Sequence, residues 1–123
     1  MKVKIGGAAK NCRISVSGLL NPGQYKSPHP IFLFKDLSGS PSGVRLDSIE
    51  FAVQEKMGFN LWWIMEDKTH EVVLPLESRG YFDFEKVDSW HSPPGAVGMA
   101  LSAFKITEQG MSFLIMLDLV KQL

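Results

Sequence analysis

The sequence has one cysteine, Cys12, no acidic residue before Asp36, and no apolar run longer than five residues. A single cysteine excludes an internal disulfide and a cysteine-based zinc site. The two longest apolar runs, 61–65 and 113–117, fall far short of the roughly 20 residues a helix needs to cross a bilayer, so no membrane span is expected. The opening MKVKIGGAAKN carries lysines with no apolar segment behind them, and no secretory signal is read there. Taken together, these absences point to a cytoplasmic protein.

Recognisable catalytic and cofactor signatures are also missing. The stretch GGAAKN lacks the GxxxxGK[ST] spacing of a phosphate cradle, and GSPSG has its serines in the wrong places for GxSxG. His70-Glu71 is not HExxH, and His29, His70 and His91 show no metal-ligand spacing, so neither a metal nor a cofactor is assigned. Net charge is zero, but it is unevenly spread. Six basic residues (Lys2, Lys4, Lys10, Arg13, Lys26, Lys35) precede any acidic one, leaving the remainder with an excess of six negative charges. A balanced total with scattered lysines argues against nucleic acid, whose binding draws on many phosphate contacts. The basic third is expected to neutralise the acidic remainder within the fold.

What is present is a strand pattern. With 123 residues, 45% hydrophobic and 21% charged, the chain has the size and balance of one globular domain spanning 1–123. The organising stretch is 59–76, FNLWWIMEDKTHEVVLPL. Phe59, Leu61, Trp63 and Met65 lie on one parity and Trp62 and Ile64 on the other, which predicts a central strand covered on both faces. The polar break 66–71 followed by Val72, Leu74 and Leu76 predicts a hairpin.

Alternation elsewhere predicts strands over 1–5, 12–17, 31–34, 81–84, 97–103 and 113–119. Loops are expected at 21–30, 36–43 and 87–95, where Pro, Gly and Ser concentrate. Cys12, alternating with apolar neighbours, reads as a small buried hydrophobe. Residues 48–57 set two rules against each other. Ile49, Phe51 and Val53 alternate as in a strand, but Asp47 with Glu50 forms a capping box, Leu46 with Phe51 a hydrophobic staple, and Gly58 a helix stop. Helix is the reading adopted. The expected fold is therefore α+β: a mainly antiparallel sheet of about seven strands, bent into a sandwich or partial barrel, with one helix near 48–57. The alternative is all-β.

The aromatic residues suggest a surface. Trp62, Tyr81, Trp90 and His91, with Arg79 beside them, are the types that line ligand pockets and interface hot spots. The expectation is a small ligand-binding or protein-interaction domain using these five residues, with a small molecule or a protein as partner, and self-associating as a homodimer. The competing expectation is a small hydrolase or isomerase in which His91 or His70 acts with a nearby carboxylate. A further option is that the acidic stretch 66–88 docks on a basic partner.

Overall fold

A computed structural model describes residues 1–7, 10–54, 56–84 and 90–122. Among these, nine strands run β1 Lys2–Gly6, β2 Asn11–Leu20, β3 His29–Leu33, β4 Gly43–Val53, β5 Gly58–Met65, β6 His70–Glu77, β7 Arg79–Asp83, β8 Ala96–Phe104 and β9 Met111–Gln122. They form two antiparallel sheets, one in the order β1-β2-β9-β4-β7 and the other β3-β8-β5-β6. Among the described residues neither sheet closes into a barrel.

The pairing has a simple origin. Partner positions 12 and 119 of β2 and β9, 33 and 98 of β3 and β8, and 51 and 80 of β4 and β7 add to the same total. The innermost pair, β5 with β6, is offset by only a few residues. From β2 to β9 the chain is thus one long two-stranded ribbon, turned back on itself at the 66–69 hairpin and then rolled so that β4 also meets β9 and β5 also meets β8, while β1 adds to the edge at β2. Rolling a ribbon in this way generates two Greek keys, the jelly-roll connectivity.

Strand alternation then decides what is inside. Ile14, Val16, Ile49, Phe51, Ile115 and Leu117 of the five-stranded sheet face Phe59, Leu61, Trp63, Met99 and Leu101 of the other in one cluster. The sheets meet directly where the Phe59 and Phe113 rings approach to 4.6 Å. Each fully buried side chain of this size removes enough apolar surface to contribute about 1.5–3 kcal/mol, so this shared layer is the main source of stability. Cys12 is buried, as its alternation predicted, and burial pushes its thiol above the usual cysteine pKa.

The helix over 48–57 is not formed, and the all-β alternative describes the protein better. Residues 43–53 are strand β4, paired with β9 along nearly its whole length and with β7 over 48–52. Asp47 does not cap a helix: its carboxylate accepts a hydrogen bond from Arg45 Nε at 2.8 Å, and its carbonyl accepts from Phe84 N–H. The register against β9 shifts between Leu46 and Ser48, so Asp47 is the extra residue of a bulge. Gly58 stops no helix either. It opens β5, where a Cβ would fall 2.4 Å from the Phe104 ring. Two ladders of tertiary hydrogen bonds outweigh a local capping preference worth about 1 kcal/mol. Counting β4, the described residues form nine strands, where about seven were expected.

The central strand is also covered differently from the expectation. β5 lies between β8 and β6, but only Phe59, Leu61 and Trp63 enter the core, while Trp62 and Ile64 lie half-buried on the outer face. The hairpin it forms with β6 is as predicted, its turn closed by Lys68 N–H and Met65 N–H donating to the carbonyls of Met65 and Thr69. Among the described residues no helix is long and apolar enough to cross a membrane.

Candidate functional site

Strand parity sorts the five residues singled out from the sequence onto three separate places. On β7, Gly80 and Phe82 pair with the inward residues Phe51 and Ile49, so Arg79 and Tyr81 must point outward, opposite Ala52 and Glu50. Trp62 is on the outer face of the other sheet, where Nε1–H donates to Ser102 Oγ at 2.8 Å. Trp90 stacks on Phe84 at 4.4 Å, at the end of a row of rings running Phe51, Phe82, Phe84, Trp90. His91 bridges to Arg45 through the backbone, and its Nδ1 meets the Gln122 side-chain amide. Arg79 and Tyr81 therefore share a surface; Trp62, Trp90 and His91 do not join them.

What joins them instead comes from strands far away in the sequence. Met116 lies opposite Glu50, and Leu114 opposite Ala52. Glu50, Ala52, Arg79, Tyr81, Leu114 and Met116 line a shallow groove of about 450 Å³ on the outer face of the five-stranded sheet. Its floor is apolar and its charges are of both signs. Tyr81, 61% exposed, stands over it, and Leu114 is 40% exposed. A second groove of about 400 Å³ lies on the other side of the same tyrosine, lined by Asn11, Arg13, Ser48 and Asp118 among others.

This second groove holds a polar cluster built on Arg13, Ser48 and Asp118. Arg13 grips Asp118 with both ends of its guanidinium, Nε to Oδ1 at 2.7 Å and Nη2 to Oδ2 at 3.1 Å, while Ser48 Oγ donates to Oδ2 at 2.9 Å. Those donors hold the Asp118 carboxyl below the usual carboxylate range, Arg13 contributing most, and Asp118 in turn raises the Arg13 pKa. The pair joins one residue of the basic N-terminal third to the acidic remainder. It is fixed by the β2–β9 register, which sets Arg13 directly across from Asp118.

A third open groove, of about 570 Å³, sits at the loop end of the sandwich, between Lys35, Ser42, Glu66 and Val97. The aromatic residue in its lining, Phe34, is buried. Tyr25 packs against His29 at 4.8 Å, and none of the three histidines shares a hydrogen bond or ion pair with a carboxylate among the described residues. Nor, among those residues, do three or more His, Cys, Asp or Glu side chains come together to hold a metal ion. Part of the acidic stretch 66–88, from 85 onward, lies outside the described residues.

No protein-family model, no curated protein and no solved structure matches the chain.

Proposed function

We propose that this protein is a binding domain acting by contact, and that it engages a protein partner through the outer face of the five-stranded sheet around Tyr81. The observation that carries this reading is a single exposed tyrosine standing between two grooves on one face. Small molecules favour enclosed concave pockets, whereas these grooves are shallow and continuous with a flat sheet, a shape that suits an extended segment or a protein surface. Tyrosine is rigid and amphipathic, so it contributes large contact area at low entropic cost. Leu114 and Met116 offer apolar floor, and the adaptable thioether of Met116 tolerates varied side chains. Glu50 and Arg79 give the groove one acceptor and one donor of charge, which favours a partner segment carrying both signs.

The test is a random peptide library displayed on phage and panned against the intact protein. Peptides enriched on the wild type are expected to bind L114S and Y81S at least about tenfold more weakly, with binding to a Trp62→Ala control on the opposite face unchanged. Enrichment that survives L114S and Y81S, or that is lost with the Trp62 variant instead, overturns the assignment of the face.

A further inference from the structure

On β2, the buried Cys12, Ile14 and Val16 alternate with Arg13, Ser15 and Ser17, so the latter three point outward on the face that carries Tyr81. The register of β2 against β9 stands Ser15 beside Met116 and Ser17 beside Leu114. β1 adds the edge strand, with Lys4 beside Ser15 and Lys2 beside Ser17. The Tyr81 groove is thus continued across the strands, first by two small side chains and then by two lysines.

The charges of this face are not evenly satisfied. Arg13 is held by Asp118, but among the described residues neither Lys2 nor Lys4 has an ion pair, and both are exposed. At the Tyr81 end Glu50 and Arg79 offset each other in sign. Ser15 and Ser17 are half-buried, and their hydroxyls have no hydrogen-bond partner among the described residues. They keep the floor low between the apolar pair and the lysines, and they offer polar groups to a backbone passing above.

We propose that the segment bound at Tyr81 lies across the strands and continues over Ser15 and Ser17 to β1, and that it carries an aspartate or glutamate two or four residues from an apolar anchor. The anchor rests on Leu114 and Met116, and the acid lies between Lys2 and Lys4. This inference depends on the reading of the Tyr81 face as a surface for a protein segment, and it adds the chemistry that segment must have. The spacing follows from strand geometry. Neighbouring strands lie about 4.8 Å apart, so β1 is about 10 Å from β9. Side chains on one side of an extended segment recur every second residue, about 7 or 13 Å along for two or four residues, and a flexible lysine side chain closes the remaining difference of about 3 Å. Lys2 and Lys4 are themselves about 7 Å apart on one side of β1, so a single carboxylate between them meets both ammonium groups. A basic residue at that place faces two like charges, which gives the surface a preference as well as an attraction. Because the other end of the face is balanced in sign, the lysines also set which way round the segment lies.

Fluorescence anisotropy with labelled peptides, taken from those that the intact protein enriches from the random library, tests the proposal. The enriched sequences are expected to carry Asp or Glu two or four residues from an apolar side chain. Replacing that acid by lysine should weaken binding to wild type about tenfold, and K2E/K4E should weaken binding of the unaltered peptide by as much. Combining the two changes puts opposite charges together again and should restore affinity to within about threefold of the original. Lys2 and Lys4 are exposed, so the protein variant keeps its fold, and the peptide substitution leaves the protein untouched. If L114S and Y81S weaken binding while K2E/K4E binds as wild type does, or if the acid can be replaced without loss, the extension to β1 is overturned and the Tyr81 face stands. If binding is indifferent to L114S and Y81S, or the library enriches nothing, the face is overturned and this proposal with it.

Discussion

Replacing Gly98 with alanine probes whether the two halves of the ribbon approach as closely as β3 and β8 do here. Gly98 is the partner of Leu33, and a Cβ at position 98 would lie 2.5 Å from the Phe32 carbonyl oxygen, 2.8 Å from Leu33 Cδ2 and 3.1 Å from Leu33 Cα. Leu33 Cδ2 can rotate away. The other two atoms are backbone of an edge strand, so the strand itself has to move and its ladder to β8 weakens. Overpacking of this kind costs about 1–3 kcal/mol, and the reduced freedom of the unfolded chain returns roughly 0.5 kcal/mol. A net loss of about 0.5–2.5 kcal/mol is expected. With an unfolding entropy of about 2.1 cal/mol/K per residue, 123 residues translate each kcal/mol into about 4 °C, so the melting temperature should fall by about 2–10 °C. Gly6→Ala is the control: it also lies on a strand, has nothing within 4 Å of the added carbon, and should leave the melting temperature within about 2 °C. Calorimetry of the two variants side by side decides the matter. Equal melting temperatures would show that β3 does not press on β8 at Gly98, against the close pairing of these two strands in the rolled ribbon.

Two further substitutions address the polar contacts. Asp118 has a folded-state pKa below its unfolded value, so its contribution to stability is complete above the ordinary carboxylate pKa and disappears as pH falls through the lower folded value. The stability gap between wild type and D118N should therefore be widest near pH 7 and shrink below about pH 4. It should stay near or under about 1 kcal/mol, because the Arg13 and Asp118 side chains are 55% and 36% exposed; urea denaturation at pH 7 and pH 3 measures it, and a gap that widens in acid contradicts the assignment. Trp62→Phe removes the indole donor to Ser102, whose hydroxyl is buried, and should cost about 1 kcal/mol. In that background S102A should add little, and a double-mutant cycle showing full additivity would mean the hydrogen bond contributes nothing.

Period-two patterns were legible wherever one face alone meets the core. Phe113, Ile115, Leu117 and Leu119 alternate with residues that face outward, and β9 is found there. The reading failed where an apolar residue faces out. Trp62 and Ile64 suggested a second covering layer, but across from them on β8 stand Ala100 and Gly98, small enough for larger neighbours to lie half-covered on an outer surface without one. It failed again at Asp47, Glu50 and Gly58, whose capping arrangement is real as a local preference. Nothing local announces that β9 and β7 flank the same segment, and those two ladders decide the conformation.

The site follows the same division between what reflection through one turn can reveal and what it cannot. The 66–69 hairpin was visible in the sequence, and reflecting positions through the ribbon centred near it sets Glu50 beside Tyr81 and Arg13 beside Asp118, both true neighbours. That symmetry of strand spacing was the available signal, and it would have separated Arg79 and Tyr81 from Trp62 without any coordinates. The floor of the groove obeys a second rule. Leu114 and Met116 reach Ala52 and Glu50 only because the rolled ribbon closes β4 onto β9, a contact between strands that the reflection keeps apart. Such closure depends on the core volume enclosed by the whole chain, not on any turn, so the apolar half of this surface is specified by packing at a distance and its polar half by the hairpin.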